Sequence, residues 1–233
     1  MGNVSFSIAQ VRDLRQLLNF CELRWRVIAI FREIRYNFQD ILKTSRFSGS
    51  EDQMKMDMEF VVPCLFGLEG LVGDELRRMD LQEVQVENGR VRFRGDEKAM
   101  AKANLNLRCG ERVLLHLASF RAESFEELFQ GALKAPLGDY IPKNGSFPVK
   151  GHCLNSKLHS VPDCQAIVKK AAARNLGQKY GVAWLPEDGD LYQLQFSIMN
   201  DQAELYLDTS GAGLHKRGYR AQGNAAPLRE TLA

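Results

Sequence analysis

Hydrophobic and polar residues alternate regularly from residue 58 onward, and this rhythm predicts a series of short strands and helices. MEFVVPCLF at 58–66 is typical of a strand, and LEGLVGDELRRM at 68–79 spaces its apolar residues along one helix face. EVQVENGRVRFRG at 83–95 predicts a hairpin, with Asn88-Gly89 as the two positive-φ residues of a type I′ turn. EKAMAKANLNLR and RVLLHLASF then predict a second helix and a fourth strand. The order β-α-β-β-α-β within about 65 residues is the split βαβ pattern of a ferredoxin-like unit.

A second unit of helices and strands follows. SFEELFQGALKA begins with Ser124 as the N-cap and Glu127 three residues later, which is the spacing of a capping box. FPVKGHCLNSKL predicts a strand. In the next segment, SVPDCQAIVKKAAARNLGQKYG, Ser160 or Asp163 can cap a long helix that ends at Gly181. YQLQFSIMNDQAELYLDTSG predicts two strands joined by a turn at Asn200-Asp201.

The first 56 residues do not share this rhythm, because apolar, aromatic and arginine residues are mixed there without clear caps or turns, up to the polar linker SGSEDQMKM. Two interpretations remain open. The segment is a helical extension, or the native start lies among the methionines at 54, 56 and 58 and the preceding residues never had to fold. The predicted organisation is an N-terminal extension with linker at 1–56, a ferredoxin-like domain at 57–122, a second domain at 123–214 and a junction at 215–233.

The net charge of +2 conceals a strong segregation of charge along the chain. Residues 143–181 contain seven basic residues and one acidic residue, Asp163. Such a concentration is expected of a surface that binds a polyanion, but it equally suits an ordinary solvated helix face. Lys169, Lys170 and Arg174 fall off the apolar face of their helix and are expected to face solvent. The candidate binding cations are Lys150, Lys157, Lys169, Lys170, Arg174 and Lys179, joined near the C-terminus by Lys216, Arg217 and Arg220.

Composition narrows the class of protein. Hydrophobic residues at 45% and charged residues at 26% are ordinary for a soluble globular chain. Neither a run of about 18 apolar residues nor a secretory signal pattern is present, so a cytoplasmic protein without membrane contact is expected. The five cysteines are odd in number and lack C-x-x-C spacing, which predicts buried free thiols rather than a disulfide framework or a metal site.

The run DTSGAGLHKRGYR at 208–220 contains three glycines, one histidine and three cations. Two local interpretations are open. Gly211 and Gly213 permit backbone shapes whose exposed N–H groups, beside the cations, suit a phosphate. Alternatively, the glycines turn the chain and the cations decorate a solvated linker. The run is neither a Walker loop nor a G-x-G-x-x-G turn between a strand and a helix.

Several segments together resemble one family. LDTSGAGLHKRGYR followed by APLRETLA is similar to the junction segment of the bacterial THUMP-domain RNA guanine-N2 methyltransferases. SVPDCQAIVKKA, NGRVRFRGDEKAMAKANLNLR and FPVKGHCLNS resemble the THUMP and ferredoxin-like segments of that family, in the same order over residues 58–233. The resemblance implies an α+β fold, with a ferredoxin-like unit followed by a THUMP α/β domain at 123–214. It also implies that these units hold structured ribosomal RNA, while a Rossmann-like domain transfers a methyl group from S-adenosylmethionine to guanine N2.

The sequence departs from that family at its end. The glycine-rich cofactor loop and the Asn/Asp-Pro-Pro-aromatic motif of the catalytic domain are absent from these residues, so no catalytic residue is assigned. We expect no cofactor in this chain, S-adenosylmethionine in the full-length enzyme, and no DNA partner; the oligomeric state is open. Three functions fit these expectations: the RNA-binding part of a methyltransferase involved in rRNA processing, of which this chain is a fragment; a free-standing RNA-binding adaptor for a separate catalytic chain; and a protein-interaction module whose basic face meets an acidic partner.

Overall fold

The predicted alternation of strands and helices is present, and the strands join in one mixed sheet. The computed structural model describes residues 58–216; the predictions for residues 1–56 and for Arg217 and Arg220 lie outside that range. The first unit contains β1 (Met58–Pro63), α1 (Glu69–Arg78), β2 (Gln82–Glu87), β3 (Arg90–Gly95), α2 (Glu97–Asn106) and β4 (Leu114–Arg121). The second contains α3 (Phe125–Leu133), a 3-10 turn (Leu137–Asp139), β5 (Val149–Leu154), α4 (Val161–Tyr180), β6 (Leu194–Met199) and β7 (Gln202–Asp208). The predicted α+β class is confirmed.

The sheet has the strand order β2-β3-β1-β4-β7-β6-β5. Its first four strands have the ferredoxin-like arrangement, with β1 antiparallel to both β3 and β4. The sheet does not end at β4, because β4 pairs antiparallel with β7 from Leu114↔Asp208 to Arg121↔Gln202. Of the pairings that the structure describes, β5 with β6 is the parallel one. The two units therefore share a continuous backbone hydrogen-bond ladder.

One face of the sheet forms the core. Strand register places Phe60, Phe93 and Leu115 on this face in the first unit, and Leu207 and Phe196 in the second. All five are buried, and the rings of Phe60 and Phe93 stack with their centroids 5.1 Å apart. The helices cover this face, because their apolar residues need the same burial. Within residues 58–216, no helix is long and apolar enough to cross a lipid bilayer.

The two hairpin turns differ from each other in geometry. At the β2–β3 turn only Gly89 has a positive φ, 73°, so the predicted type I′ turn at Asn88-Gly89 is wrong. Contacts from outside the hairpin hold this turn: the Gly89 N–H donates to the Glu69 carboxylate (3.0 Å), and the Gly89 carbonyl accepts from the Cys64 N–H (3.0 Å). At the β6–β7 turn, Asn200 and Asp201 have φ values of 51° and 62°, which are the two left-handed residues of a type I′ turn.

Helix ends follow the predicted chemistry in part. The Ser124 hydroxyl accepts from the Glu127 N–H (3.3 Å) and caps α3. Gly181 ends α4 with a φ of 64°, as predicted. Of the two predicted caps of α4, Ser160 is the N-cap residue and Asp163 lies in the first turn. The Ser160 hydroxyl makes no capping bond to the helix backbone, because it donates to the Asp163 carboxylate (2.5 Å).

The face opposite the helices carries an ion network that joins the two units. Glu204 of β7 bonds the guanidinium groups of Arg90 and Arg92 of β3, the latter at 2.5 Å, and accepts from the Tyr206 hydroxyl. Arg92 also donates to Glu59 (2.7 Å). The Glu204 side chain is 12% exposed. Burial alone would raise the pKa of Glu204, but hydrogen bonds from Tyr206 and the two arginines outweigh it and lower that pKa to about 2.

Replacing Glu204 by glutamine is expected to lower the free energy of unfolding by about 1–3 kcal/mol, because Arg90 and Arg92 lose one of the two carboxylates that they share and keep Glu87. Urea titration of both proteins measures this difference. Since an unfolded glutamate has a pKa of about 4.3, the Glu204 contribution is complete above that pH and is lost as the pH falls through about 2. The difference in the free energy of unfolding between the wild-type chain and the variant should therefore narrow as the pH falls from about 4.3 to about 2.

Glu126→Gln is the matched control, because Glu126 is exposed and bonds only the neighbouring Gln130 side chain (2.7 Å) among the described contacts. It should change stability by about 0.5 kcal/mol or less. Equal effects of the two substitutions would show that the network does not join the units energetically.

Candidate nucleic-acid interface

Three of the predicted binding cations are already paired with carboxylates. Lys169 lies 2.6 Å from Glu187, and Lys179 lies 2.7 Å from Asp139. Lys157 pairs with Glu123, and this pair raises the pKa of Lys157 through a hydrogen bond. All three pairs are partly or largely solvent-exposed, so each contributes little to stability and competes only weakly with another anion.

Lys169 is less accessible than its sequence position indicated. Its ammonium group donates to the Phe147 carbonyl (3.2 Å) and lies over the Phe147 ring, 3.6 Å from the centroid. Helical periodicity correctly placed it off the apolar face, but it could not show that the loop carrying Glu187 folds back over this part of α4. Lys169 therefore faces solvent only in part, because Glu187 and Phe147 hold its ammonium group within the domain.

Lys170 and Arg174 lie one helical turn apart on the exposed surface of α4. Both lie above the Phe129 ring of α3, with the Lys170 ammonium 5.8 Å and the Arg174 guanidinium 5.9 Å from its centroid. Lys134, at the C-terminal end of α3, is also exposed. The Asn175 amide holds that end against α4 by donating to the carbonyls on either side of Lys134, at 2.8 and 3.0 Å.

We call Lys134, Lys170 and Arg174 the α3–α4 cation patch. Among residues 58–216, none of these three cations has a carboxylate within ion-pair distance. Unpaired exposed cations can neutralise the phosphates of a polyanion without first having to break an ion pair. This neutralisation releases the counterions condensed on the polyanion. Sequence reasoning missed Lys134, because it lies outside the basic segment at 143–181 and joins the patch only through the packing of α3 on α4.

Lys150 belongs to a different surface. On β5, Gly151 packs against Phe196 and Cys153 approaches Cys164 of α4, so these residues face the helices. Lys150 and His152 therefore point to the opposite face of the sheet, where His152 contacts the Ser197 hydroxyl (3.0 Å). Burial lowers the pKa of His152, and the nearby Arg90 adds to this effect. The structure thus does not bring all six predicted cations of the second unit together.

The first part of the junction run packs against the ferredoxin-like unit. The Val113 N–H donates to the Ser210 hydroxyl (2.8 Å), which in turn donates to the Asn104 side-chain carbonyl (2.7 Å). The Asn104 amide donates to the Thr209 hydroxyl (3.0 Å), and that hydroxyl donates to the Val113 carbonyl (2.7 Å). These bonds close a ring between α2, β4 and the residues that follow β7.

Further contacts hold the first residues of the run against the ferredoxin-like unit. Arg112 donates to the Gly211 carbonyl (2.7 Å), and buried Leu214 donates its N–H to the Glu111 carbonyl (2.9 Å). Residues 208–214 are therefore not a solvated linker. The N–H groups of Ser210, Leu214 and Lys216 all have partners within the chain, so these three groups are not available to a phosphate. The interpretation that the backbone at Gly211 and Gly213 suits a phosphate stays a prediction. The Lys216 side chain is exposed at the end of the described range.

The potential metal ligands of residues 58–216 do not cluster into a metal site. Among residues 58–216, no group of three or more histidine, cysteine, aspartate or glutamate side chains is placed to hold a metal ion. His116 lies beside Glu59 (3.4 Å), and burial lowers the pKa of its imidazole. This arrangement makes His116 a part of the interdomain network.

Two family models match the chain. The RlmL ferredoxin-like domain matches residues 59–114 and the THUMP domain matches residues 122–208, which together make up more than half of the chain. The chain therefore belongs to the family of proteins that join an RlmL-type ferredoxin-like domain to a THUMP domain. The relatives that carry this combination are named as RNA methyltransferases, which confirms the family resemblance at that level.

YpsC of Bacillus subtilis, provisionally named as an RNA methyltransferase, is 46% identical over 169 residues, which are 72% of this chain and 44% of YpsC. The ribosomal RNA large subunit methyltransferase K/L of Ectopseudomonas mendocina is 33% identical over 180 residues, 75% of this chain and 24% of that protein. The chain thus spans less than half the length of these relatives.

Solved structures agree with this assignment. A Listeria monocytogenes protein, provisionally described as an N6-adenine-specific DNA methylase, is 46% identical, has a TM-score of 0.72, and shares 76% of this chain and 46% of its own. SMU.472, provisionally described as a methyltransferase and solved with SAH, is 39% identical with a TM-score of 0.71, over 77% of this chain and 48% of its own.

Replacing Ser210 by alanine should loosen the docked junction, because the buried Val113 N–H loses its acceptor at a cost of about 1–3 kcal/mol. Amide hydrogen exchange at residues 209–214 should become faster. Ser119→Ala is the control, since exposed Ser119 accepts one bond from the Gln202 side chain (2.8 Å) and lies far from the junction in the strand register. Unchanged exchange in the Ser210 variant would show that the ring does not hold the segment.

Proposed function

We propose that these residues form the RNA-binding, substrate-recognition part of an S-adenosylmethionine-dependent ribosomal RNA guanine-N2 methyltransferase. The observation that carries the proposal is the unpaired α3–α4 cation patch on a THUMP domain. The names of the relatives support the RNA methyltransferase class, and SAH bound to SMU.472 supports the cofactor class. A role on ribosomal RNA would place the protein in the cytoplasm.

The patch would act through phosphates rather than through bases. Each phosphate that a lysine or arginine neutralises releases condensed counterions, which gives affinity that falls with salt but carries little sequence information. Structured RNA is recognised mostly by its shape and by contacts to phosphates and 2′-hydroxyls. Three exposed cations on two packed helices would offer several phosphate contacts on one surface. Lys150, on the other face of the sheet, would not share that path.

The connection between the two units would give an RNA bound at the patch a defined position relative to the end of the described chain. The β4–β7 ladder and the Glu204 network fix the THUMP domain against the ferredoxin-like unit. The Ser210 ring fixes the chain that leaves the THUMP domain against the same unit. An RNA held at the patch therefore has a defined position relative to residue 216. Methyl transfer to guanine N2 requires the base to leave its stack. The methyltransferase part of the full-length enzyme would then transfer the methyl group from S-adenosylmethionine.

The description of the Listeria relative favours a second candidate substrate, adenine in DNA. Both RNA and DNA present a phosphate backbone to the patch, so charge alone does not separate them. Only RNA offers 2′-hydroxyls and the A-form groove. A duplex DNA of equal length is therefore a necessary comparison in any binding experiment.

Replacing Lys170 and Arg174 together by glutamate should weaken binding of the full chain to a folded fragment of large-subunit ribosomal RNA. The plot of log binding constant against log salt concentration should lose about 2 from its slope, because two phosphate contacts are removed. Fluorescence anisotropy across a salt series measures both quantities. The wild-type chain should bind the folded RNA more tightly than duplex DNA or an unstructured RNA of the same length.

Arg78→Glu with Lys98→Glu is the matched control, because it makes the same change in net charge at exposed residues of the ferredoxin-like unit. It should keep most of the affinity. Equal losses of RNA affinity in both double variants would show that binding depends on net charge and not on the α3–α4 cation patch. Tighter binding of the duplex DNA than of the folded RNA would favour the DNA substrate. Binding of an acidic protein partner without RNA preference would favour a protein-interaction module.

A further inference from the structure

Two cysteines of the THUMP domain face each other across the packing of β5 on α4. Cys153 lies near the C-terminal end of β5, and Cys164 lies in the first turns of α4. Their Sγ atoms are 3.8 Å apart. Both are free thiols in the structure. The two other described cysteines, Cys64 and Cys109, lie in the ferredoxin-like unit.

The two thiols differ in accessibility. Cys164 is fully buried, whereas Cys153 is half-buried and lines a shallow surface depression of about 410 Å³. The other residues that line it are polar or charged: Asn155, Ser156, Lys157, His159 and Asp201. A small polar oxidant can therefore reach Cys153 but not Cys164. Redox-sensitive cysteines are often accessible and placed beside a second, resolving cysteine, and Cys153 beside Cys164 has this spatial arrangement.

We propose that Cys153 and Cys164 form a reversible disulfide, with a peroxide as the oxidant. The Cys153 thiolate attacks one peroxide oxygen, the O–O bond breaks, and the departing hydroxide takes a proton to become water. The Cys164 sulfur then attacks the sulfenic acid sulfur of Cys153, the S–O bond breaks, and the departing hydroxide leaves as water with the Cys164 proton. In total, two thiols and one hydrogen peroxide give one disulfide and two waters.

The geometry permits this bond with small local movement. The sulfur atoms must approach by roughly 1.8 Å to reach the disulfide length of about 2.05 Å. Cys153 lies on an edge strand, where a side chain can shift without displacing a second neighbouring strand. The bond would tie the start of α4 to β5 and close a short loop. We expect the melting temperature to rise by about 5 °C or more on oxidation.

The surroundings predict a slow reaction at neutral pH. Burial raises the pKa of Cys153, and it raises the pKa of Cys164 to about 12. The ionisable groups around the pair are Asp163 at the start of α4 and Lys157, His159 and Asp201 around the depression. Since the thiolate is the attacking species, the rate of oxidation should increase as the pH is raised above neutrality.

The test is to treat the full chain with hydrogen peroxide and to locate disulfides by peptide mass mapping, with and without reduction. The expected product lacks two hydrogen atoms and contains a Cys153–Cys164 linked peptide that dithiothreitol separates. Cys109→Ser is the matched control and should give the same product. In Cys164→Ser, a sulfenic acid reagent such as dimedone should label Cys153.

Three results would overturn the proposal. The first is oxidation of Cys153 to sulfinic acid in the wild-type chain while Cys164 stays free. The second is a disulfide that joins other cysteines and persists when Cys153 is replaced by serine. The third is no reaction of Cys153 with peroxide at alkaline pH while the chain remains folded, as judged by circular dichroism.

Discussion

The antiparallel pairing of β4 with β7 is the constraint on which the rest of the structure depends. It joins two units that each have their own helices into one seven-stranded sheet. The pairing also brings Glu204 of β7 to the same face as Arg90 and Arg92. Without that ladder, the largely buried Glu204 carboxylate would lose both arginine partners, at a cost larger than a single surface ion pair could offset.

The same pairing determines where the chain goes next. β7 ends opposite the start of β4, so the residues after Asp208 meet α2 and β4 and bond Asn104 and Val113. Residues 208–214, the first part of a run that looks like a loose linker in sequence, are thus a docked segment. This geometry gives the proposed RNA-binding surface a fixed relation to the end of the described chain, as the proposed substrate-recognition role would require.

Local patterns in the sequence predicted the elements well, because they depend on contacts within each element. The capping bond of Ser124 and the C-terminal stop at Gly181 depend only on neighbouring residues, and both are present. Features that depend on residues distant in sequence could not be predicted from local patterns. The turn at Asn88-Gly89 differs because Glu69 and Cys64 bond it from outside the hairpin.

The candidate interface was predictable only in part, for the same reason. A charge count along the chain found the basic segment, but it could not distinguish Lys169, held by Glu187 and Phe147, from Lys170, which is unpaired among the described residues. It also grouped Lys150 with cations on the other side of the sheet. Lys134 joined the surface only through the packing of α3 on α4.

The most direct test of the central claim is lysine footprinting of the full chain, by acetylation and mass spectrometry, with and without a folded fragment of large-subunit ribosomal RNA. RNA should protect Lys134 and Lys170, while Lys150 on the opposite face stays equally reactive. Protection of Lys150 with unchanged reactivity at Lys134 and Lys170 would show that the RNA binds the other face of the sheet and not the α3–α4 cation patch.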